Sequence, residues 1–98
     1  MADRIAAPTA GEILAEEFMK PLGISSYRLA MDIRVPVSRI QDILHDRRKI
    51  TADTSIRLAK YFGVSETFFL NIQNDIDLRN ARAELEAELE KIPAVSAK

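Results

Sequence analysis

The chain has 98 residues and a formal net charge of −1, with 47% hydrophobic residues and no cysteine. This length allows one domain with a tail or an extended helix, and the composition can close a modest core. The lack of cysteine excludes a disulfide framework and a thiolate metal site. No apolar run is long enough to span a membrane and the first residues lack the apolar core of a signal peptide, so we expect a cytoplasmic protein without a membrane partner.

Charge is distributed unevenly along the chain. Residues 37–63 carry six basic and three acidic side chains, a net charge of +3, whereas residues 64–98 carry four basic and seven acidic ones, a net charge of −3. This asymmetry is compatible with a DNA-binding face in the middle of the chain and a different role for its last third. A mixed solvated surface is the alternative.

The first predicted helix begins after a capping-box pattern. Thr9 is followed three residues later by Glu12, so the two residues can satisfy each other's backbone amides. The helix is predicted to run from Ala10 to about Lys20. Pro21 and Gly23 are predicted to end it, because neither residue favours the continuation of a helix.

The stretch from Ser25 to Leu44 is predicted to form two short helices joined by a tight turn. The first runs from about Ser26 to Ile33, and Ser25 can accept a hydrogen bond from its free amides. The second starts near Pro36, since proline suits a first helical position. Its polar face consists of Ser38, Arg39, Gln41, Asp42 and His45. Such a pair fits a helix-turn-helix with a recognition helix, and a helical hairpin inside an all-α domain is the alternative.

The rest of the chain is also predicted to be helical. Thr51 is placed to cap a fourth helix that ends at Gly63. Ser65 is placed to cap the last and longest helix, from Glu66 to about Lys91, whose second half is charged with a narrow apolar stripe. No segment shows the period-two alternation of a strand. The predicted fold class is therefore all-α, with five helices.

Three segments in unbroken order between Ala10 and Arg79 resemble the phage-repressor-like helix-turn-helix domains of the XRE superfamily, and more specifically the HigA-type antitoxins of HigBA toxin–antitoxin modules. They are AGEILAEEFMKPLGIS, RLAMDIRVPVSRIQDILHDRRKITADTSIRLAKYFG and SETFFLNIQNDIDLR. The resemblance implies a lambda-repressor-like domain over residues 9–79, a flexible arm at 1–8, and a helix extension with a frayed tail at 80–98. It also implies a homodimer that binds palindromic operator DNA, represses its own operon and silences a RelE-like, mRNA-cleaving toxin.

The chain departs from the family pattern at its turns. The turn between the two central helices usually contains glycine, and this chain has Arg34. A left-handed backbone at a non-glycine residue costs on the order of 1 kcal/mol. Either the turn is remodelled, or Arg34 accepts the strain to reach a phosphate. Asp46 and Lys49 also stand where relatives often carry glycine.

The resemblance divides the candidate DNA contacts into two groups. Residues predicted to face base edges are Val37, Ser38, Gln41 and Asp42. Gln41 can pair with adenine, and Asp42 can accept a hydrogen bond from cytosine. Residues predicted to contact phosphates are Ser26, Arg34, Arg39, Arg47, Arg48 and Lys49. For Arg39 and Arg47 the alternative is ordinary surface charge, and for Ser38 it is a capping role.

Useful DNA affinity requires two copies, because one chain with a slightly negative net charge offers few phosphate contacts. The candidates for the dimer interface are Phe68, Phe69, Ile72 and Ile76, with Leu85 and Leu89 as an extension. The alternative is that these residues fill the core of a single chain.

No arrangement of residues predicts catalysis, a cofactor or a metal site. His45 is the only histidine, and no nucleophile, base or further metal ligand is arranged around it. An enzyme is therefore not expected. Two alternatives to an antitoxin remain open: a stand-alone repressor without a toxin, and a protein-interaction module that uses this scaffold without binding DNA.

Overall fold

The structure, a computed structural model, describes residues 8–95. Its helices are α1 over residues 10–22, α2 (Ser26–Ile33), α3 (Val37–Leu44), α4 (Ala52–Phe62) and α5 (Phe68–Leu89). The described part of the chain contains no strand, so the prediction of an all-α fold with five helices is confirmed. The predicted arm lies outside the described residues except for Pro8, and so do the last three residues of the predicted tail.

Helix α1 starts as predicted but ends later. The capping box is present, because the Glu12 N–H donates to Thr9 Oγ1 at 3.1 Å and the Thr9 N–H donates to Glu12 Oε1 at 3.0 Å. Of the two residues predicted to end the helix, Gly23 does so, with φ 65°, whereas Pro21 does not, since the chain stays helical to Leu22. The stretch Leu14–Met19 is π-helical, and this wider turn makes room for a proline ring that would clash in a regular α-helix.

The start of α3 also differs from the prediction. Pro36 has extended backbone angles, φ −62° and ψ 144°, and is the N-cap of α3 and not its first helical residue. The preceding helix begins as predicted, because the hydroxyl of Ser25 accepts a hydrogen bond from the Arg28 N–H at 3.0 Å. Thr51 occupies the N-cap position of α4 but makes no capping hydrogen bond with its side chain.

Helix α5 is capped by a residue of another helix. The helix begins at Phe68 with Thr67 as N-cap, so the prediction that Ser65 caps a helix from Glu66 is wrong. The buried hydroxyl of Ser55, in α4, donates to the Glu66 carbonyl at 2.7 Å and accepts from the Leu70 N–H at 3.0 Å. This hydroxyl therefore satisfies polar backbone groups at the start of α5 and ties α4 to it.

Ser55→Ala is expected to lower the free energy of unfolding by about 2 kcal/mol, because two partly buried backbone groups lose their hydrogen-bond partner. Urea denaturation followed by circular dichroism measures the change. Ser65→Ala is the matched control and should cost less than about 0.5 kcal/mol, since Ser65 is exposed. Equal losses in both variants would contradict the assignment of Ser55 as the cap.

The core lies between all five helices. Its most deeply buried large side chains include Leu14 of α1, Leu29 of α2, Ile40 of α3, Leu58 of α4 and Phe69 of α5. Four phenylalanines form an aromatic cluster at the end of the core where α1, α4 and α5 meet, with ring centroids of neighbouring pairs 4.9 to 6.1 Å apart. These are Phe18, Phe62, Phe68 and Phe69. Burial of Ile40 and Ile43 in the core is what fixes α3 on the domain.

The residues predicted for a dimer interface divide into two sets. Phe69 is 1% exposed, and Ile72 and Ile76 pack against the same core. For these three residues the structure agrees with the alternative, in which they fill the core of a single chain. Phe68 is 36% exposed, and Leu85 and Leu89 are 47% and 38% exposed. The second half of α5 extends away from the core with exposed residues only. Of the residues predicted for a dimer interface, Phe68, Leu85 and Leu89 therefore remain accessible to a second copy.

None of the helices in residues 8–95 combines the length and the apolar character that crossing a membrane requires.

Candidate nucleic-acid interface

Helix α3 presents a polar face to solvent. Ile40 and Ile43 are buried, whereas Ser38, Gln41 and His45 are exposed and Asp42 is partly exposed. The imidazole Nδ1 of His45 lies 2.8 Å from the Gln41 carbonyl oxygen, so His45 stays close to the helix end. The structure thus brings three of the four predicted base-facing residues to one accessible surface: Ser38, Gln41 and Asp42. The fourth, Val37, is partly buried against the core.

A basic link, residues 45–51, follows α3 directly. Arg47 pairs with Asp42, with Nη2 at 3.0 Å and Nε at 3.1 Å from Asp42 Oδ1. Arg48 is exposed, and Lys49 Nζ lies 3.3 Å from Asp77 Oδ1 of α5. Arg47 therefore lies against the polar face of α3, whereas Arg48 and Lys49 line a surface pocket with Asp77 and Asn80 of α5.

Arg39 points away from this surface. Its guanidinium Nη1 lies 3.2 Å from Asp53 Oδ1, and its side chain is only 25% exposed. The Nε atom is buried and has no hydrogen-bond partner within residues 8–95. Arg39 is consequently the least available of the predicted phosphate contacts.

Asp53 is shared with a second arginine that supports the helix-turn-helix. Arg57 Nε donates to Asp53 Oδ1 at 2.8 Å, and Arg57 Nη1 donates to the carbonyls of Ile33 at 2.9 Å and Arg34 at 3.3 Å. These carbonyls lie at the end of α2, where they have no helical partner. The group Arg39, Asp53 and Arg57 therefore connects α4 to both helices of the motif.

The turn between α2 and α3 is left-handed at Arg34, with φ 66° and ψ 48°. The Val35 N–H donates to the Ala30 carbonyl at 3.0 Å. A hydrogen bond of the same span, from the Ile24 N–H to the Met19 carbonyl at 2.9 Å, closes the end of α1 around Gly23. The turn thus keeps the geometry of a glycine-containing helix end, and Arg34 bears the strain. Asp46, with φ 59°, does the same at the end of α3.

The basic link is anchored to α5 by a buried amide. Gln73 is 8% exposed, and its Oε1 accepts a hydrogen bond from the Ile50 N–H at 3.0 Å. Its Nε2 donates to Asp77 Oδ1 at 3.1 Å, and Asp77 in turn pairs with Lys49. Gln73 therefore fixes the position of the link's backbone.

A second polar cluster connects α2 to α4. The Tyr61 hydroxyl donates to Asp32 Oδ2 at 2.6 Å, and Arg28 Nε donates to the same oxygen at 3.1 Å. These two hydrogen bonds, that of Tyr61 first, lower the pKa of Asp32, and the bond to Asp32 raises the pKa of Tyr61. Because the pKa of Asp32 is lowered, its contribution to stability is present above its ordinary pKa and is lost as the pH falls through the lowered value.

Comparison with known proteins agrees with this geometry. A helix-turn-helix family matches residues 16–69, which extend from α1 to the start of α5. The chain belongs to this helix-turn-helix family. The virulence-associated protein I of Dichelobacter nodosus is 48% identical over 71 residues, which are 72% of this chain and 66% of that protein. The first three curated relatives are matched over 62 to 66% of their own length.

Solved structures of helix-turn-helix proteins superpose closely on the chain. The Pseudomonas aeruginosa antitoxin HigA, solved with the higBA promoter, has a TM-score of 0.84 and 33% identity, with 92% of this chain and 98% of that chain covered. The antitoxin GraA in complex with its operator has a TM-score of 0.86 and 31% identity, with 99% of both chains covered. The resemblance to XRE-type domains and HigA antitoxins is thereby confirmed.

Several residues that support the site of this helix-turn-helix protein were not predicted from the sequence. They are Asp53, Arg57, Gln73 and Asp77. Asp53 and Arg57 are four residues apart on a predicted helix, a spacing that allows an ion pair. Gln73 is a polar residue between the apolar positions Phe69, Ile72 and Ile76, and that break in the pattern is the signal that could have found it. The roles of the ten candidate DNA contacts stay predictions.

Arg34→Gly is expected to raise the free energy of unfolding by about 0.5–1 kcal/mol, because glycine relieves the left-handed strain at a smaller cost in backbone entropy. Thermal and urea unfolding measure the gain. Arg34→Ala is the matched control, since it removes the same charge but keeps a Cβ. If Arg34 contacts a phosphate, both variants lose the same operator affinity while only the glycine variant gains stability. Equal stability of the two variants would contradict the strain.

Proposed function

We propose that the chain is a HigA-type antitoxin that binds the operator of its own operon as a homodimer and neutralises a RelE-like, mRNA-cleaving toxin. The observation that carries the proposal is the exposed polar face of α3 next to the basic link, in a chain that superposes on antitoxin HigA solved with a promoter. DNA recognition of this kind places a helix in the major groove and basic residues on the flanking phosphates. Such a protein works in the cytoplasm, where its operator is.

The DNA half of the proposal assigns separate roles to the exposed residues. Gln41 is placed to pair with the N6 and N7 edge of adenine, and Ser38 to contact a neighbouring base. Arg48 and Lys49 are placed to hold phosphates, and the first amides of α2, near Ser26, offer a further phosphate contact. The side chains on α3 and on the basic link that receive these roles are all exposed, which supports the division, because none of them is needed for the core.

The dimer half follows from charge and exposed surface. A chain of net charge −1 gains useful affinity when two copies share one palindromic site, with recognition helices roughly 34 Å apart. The exposed half of α5 carries a groove lined by Leu78, Ala81, Arg82, Leu85 and Leu89. An apolar stripe of this kind, on the exposed half of a helix, is suited to pairing with the same helix of a second copy.

The test is co-expression with the product of the adjacent reading frame, purification of the complex, and gel-shift titration on the chain's own promoter at two salt concentrations. The proposal expects a stable complex or a free dimer that shifts the promoter, with affinity falling steeply as salt rises because phosphate contacts release counterions. It also expects the chain to restore growth to cells that express the adjacent gene product.

One double variant separates the halves of the proposal. A Ser38→Ala, Gln41→Ala double variant should lose the promoter shift and still bind the toxin, because both residues are exposed on α3. A promoter shift without any toxin partner would leave a stand-alone repressor. A toxin complex without a promoter shift at either salt would leave a protein-interaction module, and the assignment of α3 as a recognition helix would be wrong.

A further inference from the structure

Asp42 and Arg47 form one unit at the end of the recognition helix α3. The guanidinium directs Nε and Nη2 to a single carboxylate oxygen, Asp42 Oδ1, at 3.1 and 3.0 Å. The Arg47 backbone N–H also donates to the Asp42 carbonyl, at 2.7 Å. Arg47 is thus held at both its backbone and its side chain by the same residue.

This pair does little for the stability of the fold. The two side chains are 38% and 60% exposed, and ion pairs at such positions contribute little because solvent screens them. The backbone hydrogen bond that closes the end of α3 does not depend on the side chain of Arg47. What the pair does fix is the direction in which the guanidinium points.

The orientation of the Arg47 guanidinium leaves two of its N–H donors available. A guanidinium has donors on two edges, and Asp42 occupies the edge formed by Nε and Nη2. The outer edge, formed by Nη1 and the second N–H of Nη2, has no partner within residues 8–95 and lies beside Asp42, a residue predicted to face bases. Two parallel N–H groups at this spacing match the O6 and N7 acceptors of guanine in the major groove.

We propose that Arg47 reads a guanine in each half of the operator and that Asp42 is the residue that positions it. The sequence predicts different roles for these two residues, with Arg47 as a phosphate contact and Asp42 as an independent contact to cytosine. The pairing also explains how a carboxylate is tolerated on this face, since an unpaired Asp42 would be repelled by the DNA phosphates. This inference rests on operator binding as proposed above.

The test compares the base preferences of variants on duplexes selected from a random pool by the wild-type chain. Arg47→Ala should reduce discrimination for guanine at one position of each half-site by about 10- to 100-fold, and should leave the other positions unchanged. Arg47→Lys keeps the charge but loses the planar pair of donors, so it should lose the same preference. Asp42→Asn should weaken the preference at that position and raise affinity for unrelated DNA, because a repulsive charge is removed.

Arg48→Ala is the matched control, since Arg48 is the exposed neighbour that is predicted to contact a phosphate. It should lower affinity equally for all sequences and reduce the slope of log affinity against log salt by about 0.9 for each phosphate that is no longer neutralised. If Arg47→Ala behaves in this way, or Arg47→Lys retains the guanine preference, the inference is wrong. If the wild-type chain selects no sequence at all, it is the proposed operator binding that fails. Circular dichroism confirms that each variant is folded.

Discussion

Gly11→Ala is expected to lower the free energy of unfolding by about 3 kcal/mol or more. A Cβ at this position would lie 2.3 Å from the Ile43 carbonyl oxygen and 2.8 Å from that of Leu44. Both atoms belong to the backbone at the end of α3, so no side-chain rotation can relieve the overlap. The start of α1 and the end of α3 would have to separate, and the Gly11 N–H, which lies 3.4 Å from Asp46 Oδ1, would lose its partner.

Urea denaturation measures this loss, and Gly23→Ala is the control. Gly23 has a φ of 65°, and apart from its two chain neighbours no residue has an atom within 4 Å of the position that a Cβ would occupy, so its substitution costs only the left-handed strain, about 1 kcal/mol. A loss at Gly11 no larger than that at Gly23 would show that the two helices can separate easily. Operator affinity should also fall in the Gly11 variant, because the displaced end of α3 carries the Asp42–Arg47 pair.

The double substitution Leu85→Glu, Leu89→Glu is expected to yield a monomer that binds the operator at least about 100-fold more weakly. Two linked DNA-binding units gain this order of affinity because the second contact becomes intramolecular. Both leucines are exposed, so the fold of the single chain should not change. Analytical ultracentrifugation reports the oligomeric state, and fluorescence anisotropy on the promoter reports the affinity.

Ala87→Glu provides the control for this prediction. By the helical period Ala87 lies on the side of α5 opposite Leu85, so it adds negative charge to the same helix outside the apolar stripe. The control should remain dimeric and lose affinity only slightly. If the double variant also remains dimeric, the interface lies elsewhere, and Phe68 is then the remaining exposed candidate of those that the sequence named.

The number of helices and most of their ends could be predicted because their signals are local. The capping box at Thr9 and the glycine at position 63 act on atoms within a few residues, and the structure has both. One error arises where a distant residue replaces a local one. Ser65 is a good local cap, but Ser55 of α4 already satisfies the start of α5, and the helix begins three residues later than Ser65.

In the candidate site, too, local signals could be predicted from the sequence and distant partners could not. Periodicity was sufficient to place Ser38 and Gln41 on the polar face of α3, because that face is set by the buried Ile40 and Ile43. The position of the Arg39 side chain could not be predicted, since it depends on an ion pair with Asp53, which lies fourteen residues further along the chain and in another helix. Partners of this kind are set by how helices cross, and a single sequence does not specify the crossing.

The hydrogen bond from the Ile50 N–H to Gln73 and the ion pair between Lys49 and Asp77 join the basic link to α5. The link is the segment proposed to hold phosphates, and α5 is the helix proposed to bind a second copy. In the proposed function, dimerisation and DNA binding therefore involve two segments that are in direct contact. Thermodynamic reciprocity applies to the two binding equilibria. Whatever factor dimerisation contributes to operator affinity, the operator contributes the same factor to dimerisation, so that the dissociation constant of the dimer becomes a property of the DNA as well as of the protein.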